Sequence, residues 1–524
     1  MKLKTVVVSL GMLGMMSVPA FAVTQQDVNK LAKQVNVLQQ QVNALQNEVQ
    51  AQHRQNHSVT TKKSISPVSI PHPVVPVTPD QPEHTPSGSS SLPSSGVTYL
   101  PVDLDVPGQS FVSSGPYIGI PLQFSGSNLI INSPSVNQDV ALLKIRKNIL
   151  LRLRALGVME EQDHAHVLLS GAVEGQAMYK NIGGGSDSTD IDLTNATLDA
   201  YILGPSDWVS ALMSLTYDND LGTNSGSLAN NSRDLNSRVY IAQAFITIGD
   251  LLKSPVYGTF GQLYVPFGTY SSNMVSSPLT KIMARTKART IVLGYQPQNN
   301  DGLYGAGYIF RGDTRFSSVN RVNNGGMNLG YRFHLFEDVV HSDIGTGVIA
   351  NMADSVGMQA VANNAFPTFN GFGGINGTGN EQLQHRVPAY DFRGLWSMGK
   401  VDLLAEYIIS SNHFSPLDMT MNSHGARPQA LNAEAAYTFD AFARPTSVAV
   451  GYGMTKDALA LQLPAQRYSA VLNTSIWKDT LQSIEFRHDV NYAASHVATG
   501  SGQPAPSASG KSDNAITAQF DVYF

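Results

Sequence analysis

The sequence predicts an all-β membrane protein: a 16-stranded antiparallel transmembrane β-barrel with an N-terminal periplasmic coiled-coil helix and a Pro/Ser-rich linker. Three observations lead to this prediction. Residues 166–524 read as short strands in which apolar and polar positions alternate. The connections between these strands are alternately short and long. Finally, 14% of the residues are charged, whereas soluble domains average about 25%.

Residues 1–22 have the features of a secretory signal peptide. Lys2 and Lys4 precede the apolar run 6–18, and the stretch PAFA at 19–22 supplies an A-x-A-like cleavage site. The run is shorter than the roughly 20 apolar residues that a spanning helix needs. We therefore expect a cleaved signal and an exported protein.

Residues 23–56 predict a coiled coil. Apolar residues recur there at alternating spacings of three and four, namely Val28, Leu31, Val35, Leu38, Val42, Leu45 and Val49. Such a stripe is too narrow for a globular core, so we expect a homo-oligomer. One amphipathic helix packed on its own protein is the alternative, and the heptads do not decide between two and three strands.

Residues 57–110 predict a linker. Prolines and serines dominate it, as in PHPVVPVTPDQP and SGSSSLPSSG. Pro-rich chain is extended and semi-rigid, so we expect this segment to act as a spacer.

Residues 111–165 predict a periplasmic subdomain with a basic amphipathic helix. Asn137 is placed to cap a helix that runs to Gly157. Its apolar side is Leu142, Ile145, Ile149, Leu153 and Leu156, and its basic residues are Lys144, Arg146, Lys147, Arg152 and Arg154. Two placements stay open: packing under the barrel, or entry into its mouth as a partial plug.

The barrel, residues 166–524, divides into sixteen segments of the length that a tilted membrane strand needs. They are 167–179, 189–203, 208–218, 237–249, 256–266, 288–296, 302–312, 325–335, 339–353, 387–398, 400–411, 429–440, 445–455, 466–476, 480–491 and 514–524. Connections after even-numbered strands are short, and those after odd-numbered strands are mostly long. Short periplasmic turns and long outer loops are typical of an outer-membrane barrel.

The two faces of these strands differ in charge. One face carries no charge and is predicted to contact lipid: Tyr304, Ala306, Tyr308, Phe310; Tyr390, Phe392, Gly394, Trp396; Val401, Leu403, Ala405, Tyr407, Ile409; Leu431, Ala433, Ala435, Tyr437, Phe439. The opposite face is predicted to line a wet lumen: Glu174, Arg311, Arg332, Asp391, Arg393, Asp402, Glu406, Glu434, Glu485, Arg487, Asp489 and Asp521. The last strand, 514–524, shows the same alternation up to Phe524.

This layout resembles the LbtU-like siderophore porin family over nearly the whole chain. The resemblance rests on the order of segments, on INSPSVNQDVALLKIRKN, and on GQLYVPFGTYSSNMVSSPLT from Gly261 to Thr280. It implies an outer-membrane porin or receptor that imports a ferric siderophore, with polycarboxylate siderophores among the candidates, and that lacks a large plug domain. A general diffusion porin for small polar solutes is the alternative, and a structural tether or adhesin is a third class.

Six arginines are candidate ligand-binding residues, because guanidinium groups bind carboxylates bidentately. Four are predicted to point inward and two lie in the loop between the seventh and eighth strands: Arg311, Arg332, Arg393 and Arg487, then Arg315 and Arg321. Pairing with the lumen's own carboxylates is the alternative role.

A second basic stretch, KIMARTKAR, begins at Lys281. If it is helical, Lys281, Arg285 and Arg289 form one stripe in an inward-folded loop. If it is extended, Arg285, Lys287 and Arg289 face outward and meet lipopolysaccharide phosphates at the rim.

Other classes of function lack support in the sequence. The net charge of −5 argues against a nucleic-acid partner, and we expect no cofactor or metal. Catalytic signatures such as G-x-S-x-G, H-E-x-x-H and a Walker loop are absent from the sequence. We therefore expect no enzyme, and expect location in a bacterial outer membrane with the coiled coil in the periplasm.

Overall fold

The computed structural model describes most of the barrel and the helix that precedes it, all within the compact unit Pro93–Phe524. The described residues are 104–106, 110–114, 136–155, 165–183, 185–204, 206–218, 238–299, 301–314, 321–335, 340–359, 371–372, 383–477, 479–500 and 510–524. The predicted signal peptide and coiled coil, most of the linker and much of the segment 111–165 lie outside them.

Sixteen antiparallel strands close into a barrel. They are β1 (Ala165–Asn181), β2 (Ser188–Leu203), β3 (Val209–Asp218), β4 (Arg238–Ile248), β5 (Val256–Tyr264), β6 (Lys287–Tyr295), β7 (Gly302–Phe310), β8 (Asn324–Leu335), β9 (Val340–Ile349), β10 (Ala389–Met398), β11 (Val401–Ser410), β12 (Gln429–Ala441), β13 (Arg444–Lys456), β14 (Gln466–Thr474), β15 (Thr480–Val490) and β16 (Ser512–Tyr523). The predicted strands are confirmed, with ends that differ by a few residues.

The barrel closes where β16 pairs with β1. Beyond β16, Phe524 and Gly171 exchange both backbone hydrogen bonds, at 2.9 and 3.0 Å. Two short strands, Leu104–Val106 and Ser110–Ser114, extend the same sheet, and the second runs parallel to the start of β1. Closure leaves the backbone groups of the first and last strands paired, as a hydrocarbon environment requires.

The remaining regular elements lie in the long connections or before β1. They are the helices α1 (Gln138–Ala155), α2 (Leu279–Ala284) and α3 (Val356–Gln359), the 3₁₀ turns Met352–Asp354 and Leu459–Leu461, and a small sheet of Met419–Met421, His424–Gly425 and Ala498–Gly500. We call the end of the barrel with the short connections the turn end, and the opposite end the loop end.

The outward side chains of the strands form an apolar exterior. Leu293 is 68% exposed, Leu303 59% and Ile484 58%. Large apolar side chains at such exposure on strand after strand are stable only where lipid covers them. Among the described residues, no helix is long and apolar enough to cross a bilayer.

One predicted face is wrong. Tyr304, Ala306, Tyr308 and Phe310 of β7 are buried in the lumen, whereas the sequence pattern assigned them to lipid. Their tyrosine hydroxyls find partners inside, since Tyr304 donates to Asp343 Oδ1 at 2.6 Å. The outward positions of β7 are glycines and aliphatic residues. The one charge in the predicted segment 302–312 is Arg311, and it gave the wrong orientation because it lies beyond the end of β7, at the loop end.

Candidate functional site

The connection between β5 and β6, residues 265–286, folds into the lumen. Its large side chains are buried, among them Phe267, Tyr270, Leu279 and Met283. In β5, four residues before this connection, Gly261 has a φ of +142°, and a Cβ there would lie 2.4 Å from Ala244 O. We call residues 265–286 the inner loop.

Glu406 of β11 anchors the start of the inner loop. Its Oε1 accepts the backbone N–H groups of Thr269 and Tyr270, at 2.6 and 3.1 Å. Its Oε2 accepts the Thr280 hydroxyl at 2.8 Å. Loop N–H groups that leave the strand ladder need partners, and a carboxylate supplies strong ones.

Two further glutamates repeat this arrangement along the wall. Glu434 of β12 accepts the Ser272 hydroxyl at 2.6 Å and the Asn273 N–H at 2.7 Å. Glu485 of β15 accepts the Ser276 N–H at 2.8 Å. The inner loop therefore crosses the lumen along a line of wall carboxylates.

Helix α1 lies inside the barrel at its turn end. The Arg146 side chain is buried and donates to the carbonyls of Gly249 and Ser206, both in short connections, at 3.2 and 3.1 Å. The Tyr201 hydroxyl donates to Leu142 O at 3.2 Å. The sequence left two placements open for this helix, under the barrel or in its mouth. The contacts of α1 place it in the barrel mouth, where it narrows the turn end of the lumen.

A cavity of about 560 Å³ remains between the inner loop and the wall. Its cations come from the inner loop and from β14 and β15: Lys281, Arg285, Arg467 and Arg487. Its carboxylates come from the neighbouring strands β1, β2 and β16: Glu174, Asp199 and Asp521. The cavity thus has a basic side and an acidic side.

The two wall arginines share a single carboxylate. Arg467 binds Asp489 bidentately, at 2.7 and 3.1 Å, and donates to Ser277 O of the inner loop at 3.1 Å. Arg487 Nε lies 3.2 Å from the same Asp489. The carboxylates of Glu485 and Asp513 also stabilise the charge of Arg487.

The two inner-loop cations differ in their surroundings. The Arg285 guanidinium lies 4.5 Å from the centroid of the Tyr264 ring, in a cation–π contact. The pKa of Lys281 is lowered to about 7, mainly by burial and also by the neighbouring Arg285, while Glu174 opposes the shift. The charge of Lys281 is therefore sensitive to pH near neutrality.

A second cavity, about 310 Å³, lies between α1, the inner loop and the strands β7 to β11. Its arginines are paired: Arg332 Nε with Asp343 Oδ2 at 2.8 Å, and Arg393 with Asp391 and Asn328. Burial lowers the pKa of Lys144, which α1 contributes to this cavity, to about 8.

The candidate arginines are therefore not gathered at one site. Arg487 lines the first cavity, while Arg332 and Arg393 pair with wall carboxylates. The inward placement predicted for Arg311 is wrong: it is exposed at the loop end and continues the outward positions of β7, because the face of β7 is reversed. Arg321 is exposed at the loop end as well. Arg315 lies outside the described residues.

Sequence reasoning missed Arg467, although it shares the inward parity of Ser469, Val471 and Asn473 in β14. For the KIMARTKAR stretch, each alternative holds in part. Lys281 lies in α2 and Arg285 caps it, so the helical reading describes the inner loop. Lys287 and Arg289 belong to β6 and share the parity of the outward Ile291.

No family model matches the chain. Among curated proteins, it is 41% identical over 420 residues to a UPF0422 protein of Coxiella burnetii, covering 79% of this chain and 84% of that protein. It is 40% identical over 422 residues to the UPF0422 protein lpl2888 of Legionella pneumophila strain Lens, covering 79% and 76%.

Solved structures with a similar course of the chain are outer-membrane channels. The channel DcaP of Acinetobacter baumannii has a TM-score of 0.42 at 12% identity, over 69% of this chain and 97% of that one. An anion-selective porin from Comamonas acidovorans has a TM-score of 0.45 at 10% identity, over 69% and 100%. These likenesses are too distant to carry an inference about solute.

Proposed function

The chain belongs to the UPF0422 protein family, and we propose that it forms an outer-membrane channel for small carboxylate-bearing solutes, with a ferric siderophore as the imported solute. The observation that carries this proposal is the group of four cations, Lys281, Arg285, Arg467 and Arg487, around one lumen cavity.

The geometry of the basic side suits a carboxylate ligand. Arg467 and Arg487 share Asp489 and line the cavity together with Lys281 and Arg285, so a carboxylate that arrives from solution meets four cationic side chains. Guanidinium groups bind carboxylates in a planar, bidentate manner. The cavity volume of about 560 Å³ falls within the roughly 300–1,000 Å³ of sites that bind small ligands.

Helix α1 gives this channel a closed side. It contacts the short connections through Arg146 and narrows the turn end. We infer that solute leaves toward the turn end only when α1 moves. Three buried polar atoms at this interface, Asp139 Oδ2, Arg146 Nε and Gln243 Oε1, have no hydrogen-bond partner among the described residues, and unpaired buried groups weaken an interface.

Growth and binding together test the siderophore proposal. A strain that lacks the gene is supplied with one purified ferric siderophore of polycarboxylate type as its iron source, and binding of the same complex to the purified protein is measured. We expect no growth without the gene, and recovery with the wild type but not with Lys281→Met/Arg285→Met. Equal growth with and without the gene, together with no binding, would contradict the proposal.

A general diffusion porin is the second candidate. The pairing of Arg332 with Asp343 and of Arg393 with Asp391 favours a diffusion porin. These guanidinium groups are bound to carboxylates of the wall, so they stabilise the wall instead of binding a solute. A steady conductance in lipid bilayers that no carboxylate solute blocks would support this candidate over the first.

A further inference from the structure

A transverse row of polar side chains crosses the exterior of β5, β6 and β7 at the loop end. In the register of the sheet, Gln262 lies opposite Arg289. Arg311 directly follows Phe310, the partner of Thr290, so that the same register places Arg311 opposite Arg289 on the other side. We call Gln262, Arg289 and Arg311 the rim row.

The rim row stands directly beyond the apolar exterior. The next row toward the barrel middle is Phe260, Ile291 and Ile309, which pair across the three strands and are 47%, 54% and 53% exposed. Two residues along a strand span about 7 Å. Arg289 and Arg311 therefore lie about 7 Å beyond the side chains that lipid tails cover. This distance places them at the level of the lipid headgroups.

The charges of the rim row lack compensation. Arg289 and Arg311 are exposed, and in the described part of the chain neither guanidinium forms an ion pair. Like charges directly opposite each other in a sheet are destabilising, so an anion between them would relieve repulsion. Lys287 is not counted in this row, because its ammonium lies 5.2 and 5.9 Å from the centroids of the Tyr240 and Tyr264 rings, which line the first lumen cavity.

These side chains line a hollow of about 480 Å³ at the rim. Two carboxylates line it as well. Asp354 is occupied, since it accepts the Thr314 N–H and hydroxyl at 2.8 and 2.6 Å. Asp313 is exposed beside Arg311. Two exposed arginines against one exposed carboxylate leave the outward part of the hollow basic.

We propose that the rim row binds the phosphate groups of lipopolysaccharide in the outer leaflet. Long loops mark the extracellular side of outer-membrane barrels, which places the rim row at the outer surface. The acyl chains of the lipid then cover Phe260, Ile291 and Ile309, while its phosphates bridge Arg289 and Arg311. This site lies on the outside of the wall and is separate from the proposed solute path.

The test compares two lipids on the purified full-length protein by native mass spectrometry: diphosphorylated lipid A, and the same lipid A with both phosphates removed. The variant is Arg289→Gln/Arg311→Gln. The control is Lys400→Gln/Arg444→Gln, which removes two exposed cations at the turn end. We expect the wild type and the control to retain the phosphorylated lipid. We expect the variant to bind this lipid about tenfold more weakly, or not at all.

Three results would overturn this assignment. They are unchanged binding in the Arg289→Gln/Arg311→Gln variant, equal binding of the dephosphorylated lipid by the wild type, and full displacement of the lipid by inorganic phosphate at the same concentration. Circular dichroism confirms that each variant is folded, and the single substitution Arg289→Gln provides a milder change in case the double variant does not fold. Channel conductance is expected to be unchanged in all of them.

Discussion

The carboxylate of Glu434 accepts the backbone N–H of Asn273 at 2.7 Å. This bond joins the barrel wall to the inner loop near its midpoint, and Glu406 and Glu485 do the same on either side. The position of Lys281 and Arg285 in the lumen therefore depends on glutamates of other strands.

Replacing Glu434 by Ala is expected to loosen the inner loop. The Asn273 N–H then lacks a partner in a buried setting, which costs roughly 1–3 kcal/mol. The variant is expected to show a noisier single-channel current and a lower thermal unfolding temperature. Asp402→Ala is the matched control, because Asp402 is a buried, inward carboxylate of the same wall and accepts a hydrogen bond from Ser397 of β10. Equal noise in the two variants would count against the anchoring role.

The ion selectivity of the channel is expected to depend on pH through Lys281. Its pKa is lowered to about 7, so the ammonium is charged below that pH and neutral above it. The chloride-to-potassium permeability ratio should therefore fall as pH rises from about 6 to 8. Reversal potentials in a KCl gradient measure this ratio.

Two substitutions separate Lys281 from other titrating groups. Lys281→Arg keeps the charge over this pH range, and Lys281→Met removes it. Both substitutions are expected to flatten the pH dependence. The chloride-to-potassium permeability ratio should stay high in Lys281→Arg and low in Lys281→Met. A full pH response in Lys281→Met would assign the effect to another group.

Removing the hydrogen bonds that fix α1 to the short connections is expected to widen the lumen at the turn end. Arg146→Ala removes both hydrogen bonds to the carbonyls of Gly249 and Ser206, while Arg146→Lys retains a donor. We expect a larger single-channel conductance in the alanine variant than in the lysine variant. The chain has no cysteine, so a single Ala141→Cys reports the exposure of α1 to a thiol reagent. A mobile α1 with unchanged conductance would show that α1 is not the barrier.

A charge on the exterior is expected to destabilise the barrel. Leu293 is outward near the middle of β6 and 68% exposed. Arg at such a position costs about 2–4 kcal/mol at the bilayer midplane, whereas Leu293→Phe keeps the surface apolar. Urea unfolding in lipid vesicles measures the difference, and equal stability of the two variants would argue against lipid contact at this position.

Much of the barrel follows from the sequence, because its signals are local. Alternation with period two sets the strands, and loop length sets which end is which. The face of β7 was predicted wrongly, because the one charge in its segment, Arg311, was taken as inward and in fact lies beyond the strand end at the loop end. The tyrosines are lumenal because their hydroxyls find partners there, such as Asp343.

The site was less predictable, because it depends on contacts distant in sequence. Glu406 and Thr269 are separated by 137 positions, and no local pattern shows that one anchors the other. The sequence predicted Arg332 and Arg393 as ligand-binding residues. In the structure they pair with carboxylates of the wall. Arg467 had the correct parity, but its role depends on Ser277 O of the inner loop.

The most direct test of the central claim is block of the single-channel current by citrate, a probe tricarboxylate, at pH 6 in planar lipid bilayers. The basic side of the cavity predicts reversible block of the wild type and of a Lys400→Met/Arg444→Met control. It predicts loss of block in Lys281→Met/Arg285→Met. A wild-type current that citrate leaves unchanged, or equal block of the Lys281→Met/Arg285→Met channel, would contradict a carboxylate-binding lumen.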